Sequence, residues 1–265
     1  MNYEEYLQSI DLSRHSICLY VSQARRFEAY LNGRSISADT VKDYMNILVE
    51  GHCPGTINTY IIAINHYLEW KGCYQLKRKT RKVQKKQSLD NVLSMEEYQI
   101  LLNYAKESDR EKYYLIMRVL AGTGMRISEM LSITIEMIKG NRIVVYNKNK
   151  YREIYLTEKL KGELLDYCEV RKIITGYIFT GRKGRAMNRH SVWEMLKKLA
   201  DMTGVPKEKV YPHSFRHLFA KTYMRKYGNL AELASLLGHS SLEITRIYTL
   251  TSAEEKRKEI EQLGL

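Results

Sequence analysis

Apolar residues recur at steps of three and four through Ile17, Tyr20, Val21, Ala24, Phe27, Tyr30 and Leu31. That spacing is the buried stripe of an amphipathic helix over residues 14–31. Ser37 stands where an N-cap would precede a second stripe of Val41, Tyr44, Met45, Leu48 and Val49, which Gly51 ends. Pro54–Gly55 breaks the chain. Ile57, Tyr60, Ile61, Ile64, Tyr67 and Leu68 then mark a third helix, stopped by Gly72. Together the three stripes predict a small all-helical module filling residues 1–76.

Helical periodicity resumes at Ser94-x-x-Glu97, a capping box. A second helix near residues 110–121 carries Tyr113, Tyr114, Ile116, Met117 and Leu120. The period then turns extended. Arg142–Tyr146 and Arg152–Leu156 are β-branched and aromatic runs, and Asn147, Lys148, Asn149 and Lys150 between them read as the polar tip of a hairpin. A third short strand is expected at Tyr177–Phe179. Asn188 is placed to cap a helix with Val192, Trp193, Leu196 and Leu199 on one face, the stretch from Val210 to Thr249 is mostly helical, and a charged helix runs from Ala253 to about Gln262. The expected fold is mainly α with a small antiparallel β-sheet (α+β), in a second domain covering residues 92–265.

Between the two lies LKRKTRKVQKKQSLDN, in which Lys77, Arg78, Lys79, Arg81, Lys82, Lys85 and Lys86 crowd together. Like charges at this density repel and keep a segment extended, so residues 77–91 read as a basic interdomain linker. One role for such a segment is a solvated tether. The other is to lie along phosphates, each neutralised contact releasing counterions. The whole chain favours the second: among 265 residues Lys+Arg number 43 against 30 Asp+Glu, a formal charge of +13 shared by both halves. An excess of that size points to an anionic partner, most simply nucleic acid. The four cysteines, Cys18, Cys53, Cys73 and Cys168, form no C-x-x-C pair, which fits a reduced, cytoplasmic setting. No apolar run approaches the length of a membrane span.

The candidate chemistry lies between Val210 and Thr249. His213, Arg216 and His217 cluster there, His239 follows a Leu-Leu-Gly, and Tyr248 comes nine residues later. Phosphoryl transfer places charge on non-bridging oxygens, which fixed cations stabilise. An arginine fork matches that oxygen geometry and stays charged. A phenol has a pKa near 10 and needs a base or local positive charge to attack at neutral pH. The leaving oxygen needs a proton from a lysine or histidine. Two arginines, a lysine, two histidines and a tyrosine therefore suffice for attack on a phosphodiester without a metal or other cofactor. Each piece has a plainer reading as well. Arg126 can solvate a helix end, Lys148 and Lys150 can decorate a hairpin tip, and His239 can cap a helix. His213 and His217 have zinc-ligand spacing, although the Glu expected beside the first is missing.

Order and context discriminate between these readings. TGMRISEML around Arg126, a lysine-bearing hairpin at YNKNKYREIYL, PHSFRHLFA around His213 and Arg216, and LLGHSSLEITRIYT around His239 and Tyr248 follow one another along the chain. The sequence thereby resembles the tyrosine recombinase (phage integrase) family from about residue 92 onward, and residues 1–76 are similar, more loosely, to the family's helical core-binding domain. No domain ahead of that module is read, which is similar to the short, Xer-type form. The resemblance implies a site-specific recombinase that cleaves and rejoins double-stranded DNA. Tyr248 would attack the scissile phosphate and form a 3′-phosphotyrosyl bond. Arg126 and Arg216 would hold the non-bridging oxygens, with His239 donating as well. His213 would assist the tyrosine's proton transfer and Lys148 would protonate the 5′-oxygen. Glu129 would orient Arg126. The hairpin tip is a residue shorter than the family's common pattern, so counting back from Arg152 reaches Lys150 instead of Lys148. A tetramer on two DNA sites, of this chain or with a related recombinase, is the implied assembly. The alternatives are a non-catalytic DNA-binding accessory protein on the same scaffold and a type IB topoisomerase-like enzyme.

Overall fold

The computed structural model describes residues 1–82, 91–140, 142–147, 150–181, 185–239, 241–249 and 261, with the backbone alone at 147 and 150. Two compact units divide the chain, Met1–Lys86 and Gln87–Leu265. The fold is mainly helical with one two-stranded antiparallel sheet among the described residues.

In the first unit, α1 (Tyr3–Ser9), α2 (Arg14–Leu31), α3 (Ala38–Gly51) and α4 (Pro54–Trp70) pack around one core. Ser13 caps α2 by accepting from Ser16 N–H, and Ser37 forms a reciprocal box with Thr40 at the start of α3. Phe27, Ile64 and Leu68 are fully buried at the centre. Helix α1 is an element the apolar pattern did not predict, because seven residues give too few turns for a period to show. Its Asn2–Glu5 capping box supplies the missing start signal, and Tyr3 seals the core by donating to the Ala63 carbonyl.

The second unit opens with α5 (Met95–Glu107), capped by the Ser94–Glu97 box, and α6 (Glu111–Thr123). Short helices α7 (Ile127–Met130) and α8 (Ile135–Lys139) lead to the hairpin β1 (Ile143–Asn147) and β2 (Lys150–Ile154). Helices α9 (Glu158–Val170), α10 (Arg189–Thr203), α11 (Pro212–Tyr227), α12 (Leu230–Leu237) and α13 (Leu242–Thr245) follow, and a 3-10 turn spans Arg246–Thr249. One continuous core joins α5, α6, α9, α10 and α11.

Two expectations need correction. The strand expected at Tyr177–Phe179 is reduced to isolated bridges, Thr134 with Tyr177 and Thr180 with Ala186, because among the described residues no neighbouring strand continues the ladder. Helix α9 is not among the elements predicted from the sequence; Thr157 caps it and Leu160, Leu164, Tyr167 and Cys168 form its buried stripe. Strand pairing also runs further into the hairpin tip than expected. Asn147 faces Lys150, so Lys150 belongs to β2, and β2 stops at Ile154. The charged helix expected over 253–262, apart from residue 261, and the residues Lys85, Lys86 and Lys148 lie outside the described residues.

Candidate active site

Helix ends build the site. Gly124 terminates α6 in the left-handed region (φ 62°), and Gly238 terminates α12 the same way (φ 60°). Space as well as backbone conformation requires glycine at both. A Cβ on Gly124 would stand 2.6 Å from Phe219 Cδ1 and 2.9 Å from Leu237 Cδ2, and one on Gly238 would stand 2.6 Å from Arg152 Cδ. Helix C-termini expose unpaired carbonyls and carry partial negative charge. Three guanidinium groups settle on them. Arg216, on the second turn of α11, donates to the Gly124 and Leu237 carbonyls, each at 2.6 Å. Arg126 reaches the Gly238 carbonyl at 3.3 Å. Arg152, on β2, donates to the Leu236 carbonyl.

Glu129 joins two of these arginines. Its carboxylate accepts from Arg126 backbone N–H at 2.8 Å, from Arg126 Nη1 at 3.0 Å and from Arg152 Nη2. The residue is 3% exposed. Burial works to raise its pKa, but the donors from Arg152 and Arg126 outweigh that, and the carboxyl is held below its usual range. Arg152 enters this network because Val145 and Arg152 are cross-strand partners, which directs the arginine to the hairpin's buried face. Its pKa is lowered chiefly by burial, with Glu129 pulling the other way.

Arg216 is 3% exposed, and burial followed by the charges of Arg126 and Arg152 brings it down to about 10, still protonated at neutral pH. Its Nη2 lies 3.0 Å from Nε2 of His239. A guanidinium only donates, so Nε2 must accept, and the neutral ring carries its proton on Nδ1, where it donates to Thr245 Oγ1 at 2.7 Å. Burial, then Arg216, Arg126 and Arg152, push His239 down to about 4. Backbone pairing fixes the residue too: His239 N–H donates to the Ala234 carbonyl beyond the end of α12.

Tyr248 lies in the 3-10 turn and is 8% exposed, against Ala220, Leu233 and Leu237. Burial pushes its phenol up to about 12 despite the opposing pull of Arg216. Its hydroxyl oxygen is 2.7 Å from Nδ1 of His217. Burial first, then His213 and Arg216, push His217 down to about 4, so the ring is neutral at neutral pH. The hydrogen-bond partner of the tyrosine hydroxyl is therefore His217, whereas the family resemblance assigns the tyrosine's proton transfer to His213. His213 is one helical turn earlier, more open to solvent, with its ring centroid 6.5 Å from that of His217. The sequence places His217 in the cluster with His213 and Arg216 and gives it zinc-ligand spacing, but assigns it no role toward the tyrosine. The available signal was its place directly after Arg216, on the same face of α11 as His213.

The structure thus brings Arg126, Glu129, Arg216, His239 and Tyr248 together and adds Arg152 and His217. Among the described residues no group of three or more His, Cys, Asp and Glu side chains is placed to hold a metal ion. No helix among them is long and apolar enough to cross a membrane.

Residues 91–255 match the model of the phage integrase family. The tyrosine recombinase XerA of Thermococcus kodakarensis is 28% identical, over 98% of this chain and 95% of its own length. The tyrosine recombinase XerD of Staphylococcus haemolyticus is 27% identical, over 96% and 95%. In fold, the chain is similar to the Tn1549 transposon integrase in complex with circular intermediate DNA, with a TM-score of 0.74 and 17% identity over 99% of this chain and all of that one.

Proposed function

The chain belongs to the phage integrase family, and from that premise we propose that it is a tyrosine-type site-specific recombinase whose nucleophile is Tyr248. The observation that carries this reading is the pairing of Tyr248 with His217 beside the pairing of His239 with Arg216, set on the helix ends that also hold Arg126. The phenol oxygen attacks phosphorus, the phenol proton passes to Nδ1 of His217, and the bond from phosphorus to the 5′-oxygen breaks. The product is a 3′-phosphotyrosyl ester and a 5′-hydroxyl. Lys148 is the proposed donor to the departing oxygen, on the family resemblance. The reverse attack, by the 5′-hydroxyl of a partner strand, completes the exchange. The ester conserves the bond energy, so no nucleotide cofactor is required.

Arg126 and Arg216 supply the charge that meets the non-bridging oxygens. Glu129 sets the position of Arg126, and Arg152 holds Glu129 in turn. His239 plays its part in two states. Its Nε2 accepts from Arg216 in the free chain. A bound phosphodiester adds negative charge that favours the imidazolium, which donates to phosphate through the same nitrogen. The exposed charges of Lys79, Arg81 and Lys82 lie on the side of the first unit proposed to meet DNA backbone. Assembly as a tetramer on two double-stranded sites completes the proposal, with cytoplasm as the working compartment.

The test is covalent trapping. Wild-type chain and Tyr248→Phe are mixed with sheared host DNA in excess EDTA, quenched with SDS, and the attached DNA is sequenced. Adducts sharing one sequence and needing Tyr248 support the reading. Adducts spread over all sequences would move the assignment to a topoisomerase-like enzyme, and none at all would favour an accessory DNA-binding protein.

A further inference from the structure

Helix α4 carries two asparagines seven residues apart, and both spend their side chains on the basic segment that follows the helix. Asn65 Nδ2 donates to the Arg78 carbonyl at 2.8 Å while its Oδ1 accepts from Arg78 N–H at 2.9 Å. Asn58 does the same with Arg81, at 2.8 Å for both bonds. Each amide thus imitates a strand neighbour by satisfying a donor and an acceptor of one residue. The spacings agree. Seven helical residues rise about 10.5 Å, and three extended residues span about 10 Å. A third tie lies further along the helix, where Lys77 Nζ meets Glu69 Oε2 at 2.9 Å. Contacts 69 to 77, 65 to 78 and 58 to 81 run in opposite order, so residues 77–81 lie extended and antiparallel along α4. The segment read as an extended basic linker is, in this part, a fixed edge of the first unit.

This changes which charges remain available. Lys77 is paired with Glu69, and Arg78 donates to the Ala38 carbonyl at 3.0 Å. Lys79, Arg81 and Lys82 are exposed, and among the described residues no partner takes their side-chain charges. Arg81 has its backbone held by Asn58 and its guanidinium left over. Repeating backbone charge on a duplex favours cations held at fixed intervals, because each aligned contact releases a counterion without first having to order the segment.

We propose that Asn58 and Asn65 are positioning residues for DNA binding: they hold residues 78–81 as a rail on α4 from which Lys79, Arg81 and Lys82 meet phosphates of the duplex backbone. The proposal rests on the DNA reading given above. It is tested by fluorescence anisotropy on a labelled mixed-sequence duplex over a salt series. Four full-length chains are compared: wild type, Asn58→Ala/Asn65→Ala, Lys79→Ala/Arg81→Ala/Lys82→Ala, and all five substitutions together. The triple variant is expected to bind roughly tenfold more weakly, with a log–log salt slope flatter by about 2 to 3, as follows from losing up to three contacts at about 0.9 each. The asparagine variant, which removes no charge, is expected to reproduce much of that loss. The five-fold variant should then be no weaker than the triple variant, since the asparagines act only through those three side chains. Asparagine substitutions that leave affinity and slope unchanged overturn the proposal. So does a loss that adds in full to that of the triple variant, which is what general destabilisation of the unit would give. A wild-type chain without affinity for the duplex would instead overturn the DNA reading itself.

Discussion

Nδ1 of His217 stands 2.7 Å from the hydroxyl oxygen of Tyr248, with both residues held in low-dielectric surroundings. A buried phenol at about 12 is a poor nucleophile by itself. A neighbouring imidazole kept neutral at pH 7 is the acceptor it needs. His217→Gln is therefore expected to slow covalent cleavage by about 100-fold, within the usual range for loss of a general base, with duplex affinity changed less than about threefold. Single-turnover adduct formation beside anisotropy measures the two effects separately. Equal adduct rates in variant and wild type would remove His217 from the reaction.

The same burial governs stability against pH. His217 and His239 sit at about 4 in the folded chain, below the unfolded value near 6.5. Between those values the unfolded chain binds more protons than the folded one, so stability rises with pH through the window from about 4 to 6.5 and levels off above it. Melting temperature measured across that range should fall on acidification. The fall should be shallower in His217→Gln and His239→Gln. Histidine resonances of both residues titrating near 6.5 would contradict the assignment.

Glu129 tests the arginine network. Glu129→Gln leaves the side chains of Arg126 and Arg152 without their buried anion, and breaking such a set by removing one partner costs about 3–5 kcal/mol. The variant should unfold at lower denaturant and cleave far more slowly. A substitution costing under about 1 kcal/mol would mean that carbonyls of α12 alone suffice to place these arginines.

Glycines at helix ends separate close approach from backbone strain. Gly228 and Gly238 both adopt positive φ, 65° and 60°, but a Cβ meets nothing at Gly228 and meets Arg152 at Gly238. Gly228→Ala should cost about 1 kcal/mol from backbone conformation. Gly238→Ala adds displacement of Arg152, and should lose more stability and most cleavage. Thermal unfolding and adduct yield read out both.

Much of this site was legible because its chemistry is tied to linear motifs. Arg126, Glu129, Arg216, His239 and Tyr248 each stand in a run that marks it. The identity of the tyrosine's partner was not legible. His213 and His217 share a face of α11, and which of them meets Tyr248 depends on how the 3-10 turn packs against that helix. Arg152 was hidden likewise. A lone arginine in a strand acquires its meaning only from the pairing with Val145 that turns it inward, and from the bare Gly238 beside it. The fold follows the apolar stripes except where an element is too short to show a period, as in α1; α9 carries its stripe at Leu160, Leu164, Tyr167 and Cys168. Asn58 and Asn65 gave no signal, since polar residues on a helix are ordinarily solvated and only the course of the following segment shows what they hold.

Direct identification of the residue bearing DNA tests the central claim. Adducts formed by the wild-type chain are to be digested with nuclease and protease, and the nucleotide-carrying peptide sequenced by mass spectrometry. The account predicts a 3′-linked nucleotide on Tyr248 and no adduct from Tyr248→Phe, which should still bind duplex. A nucleotide on any other side chain, or adducts persisting in Tyr248→Phe, would contradict it.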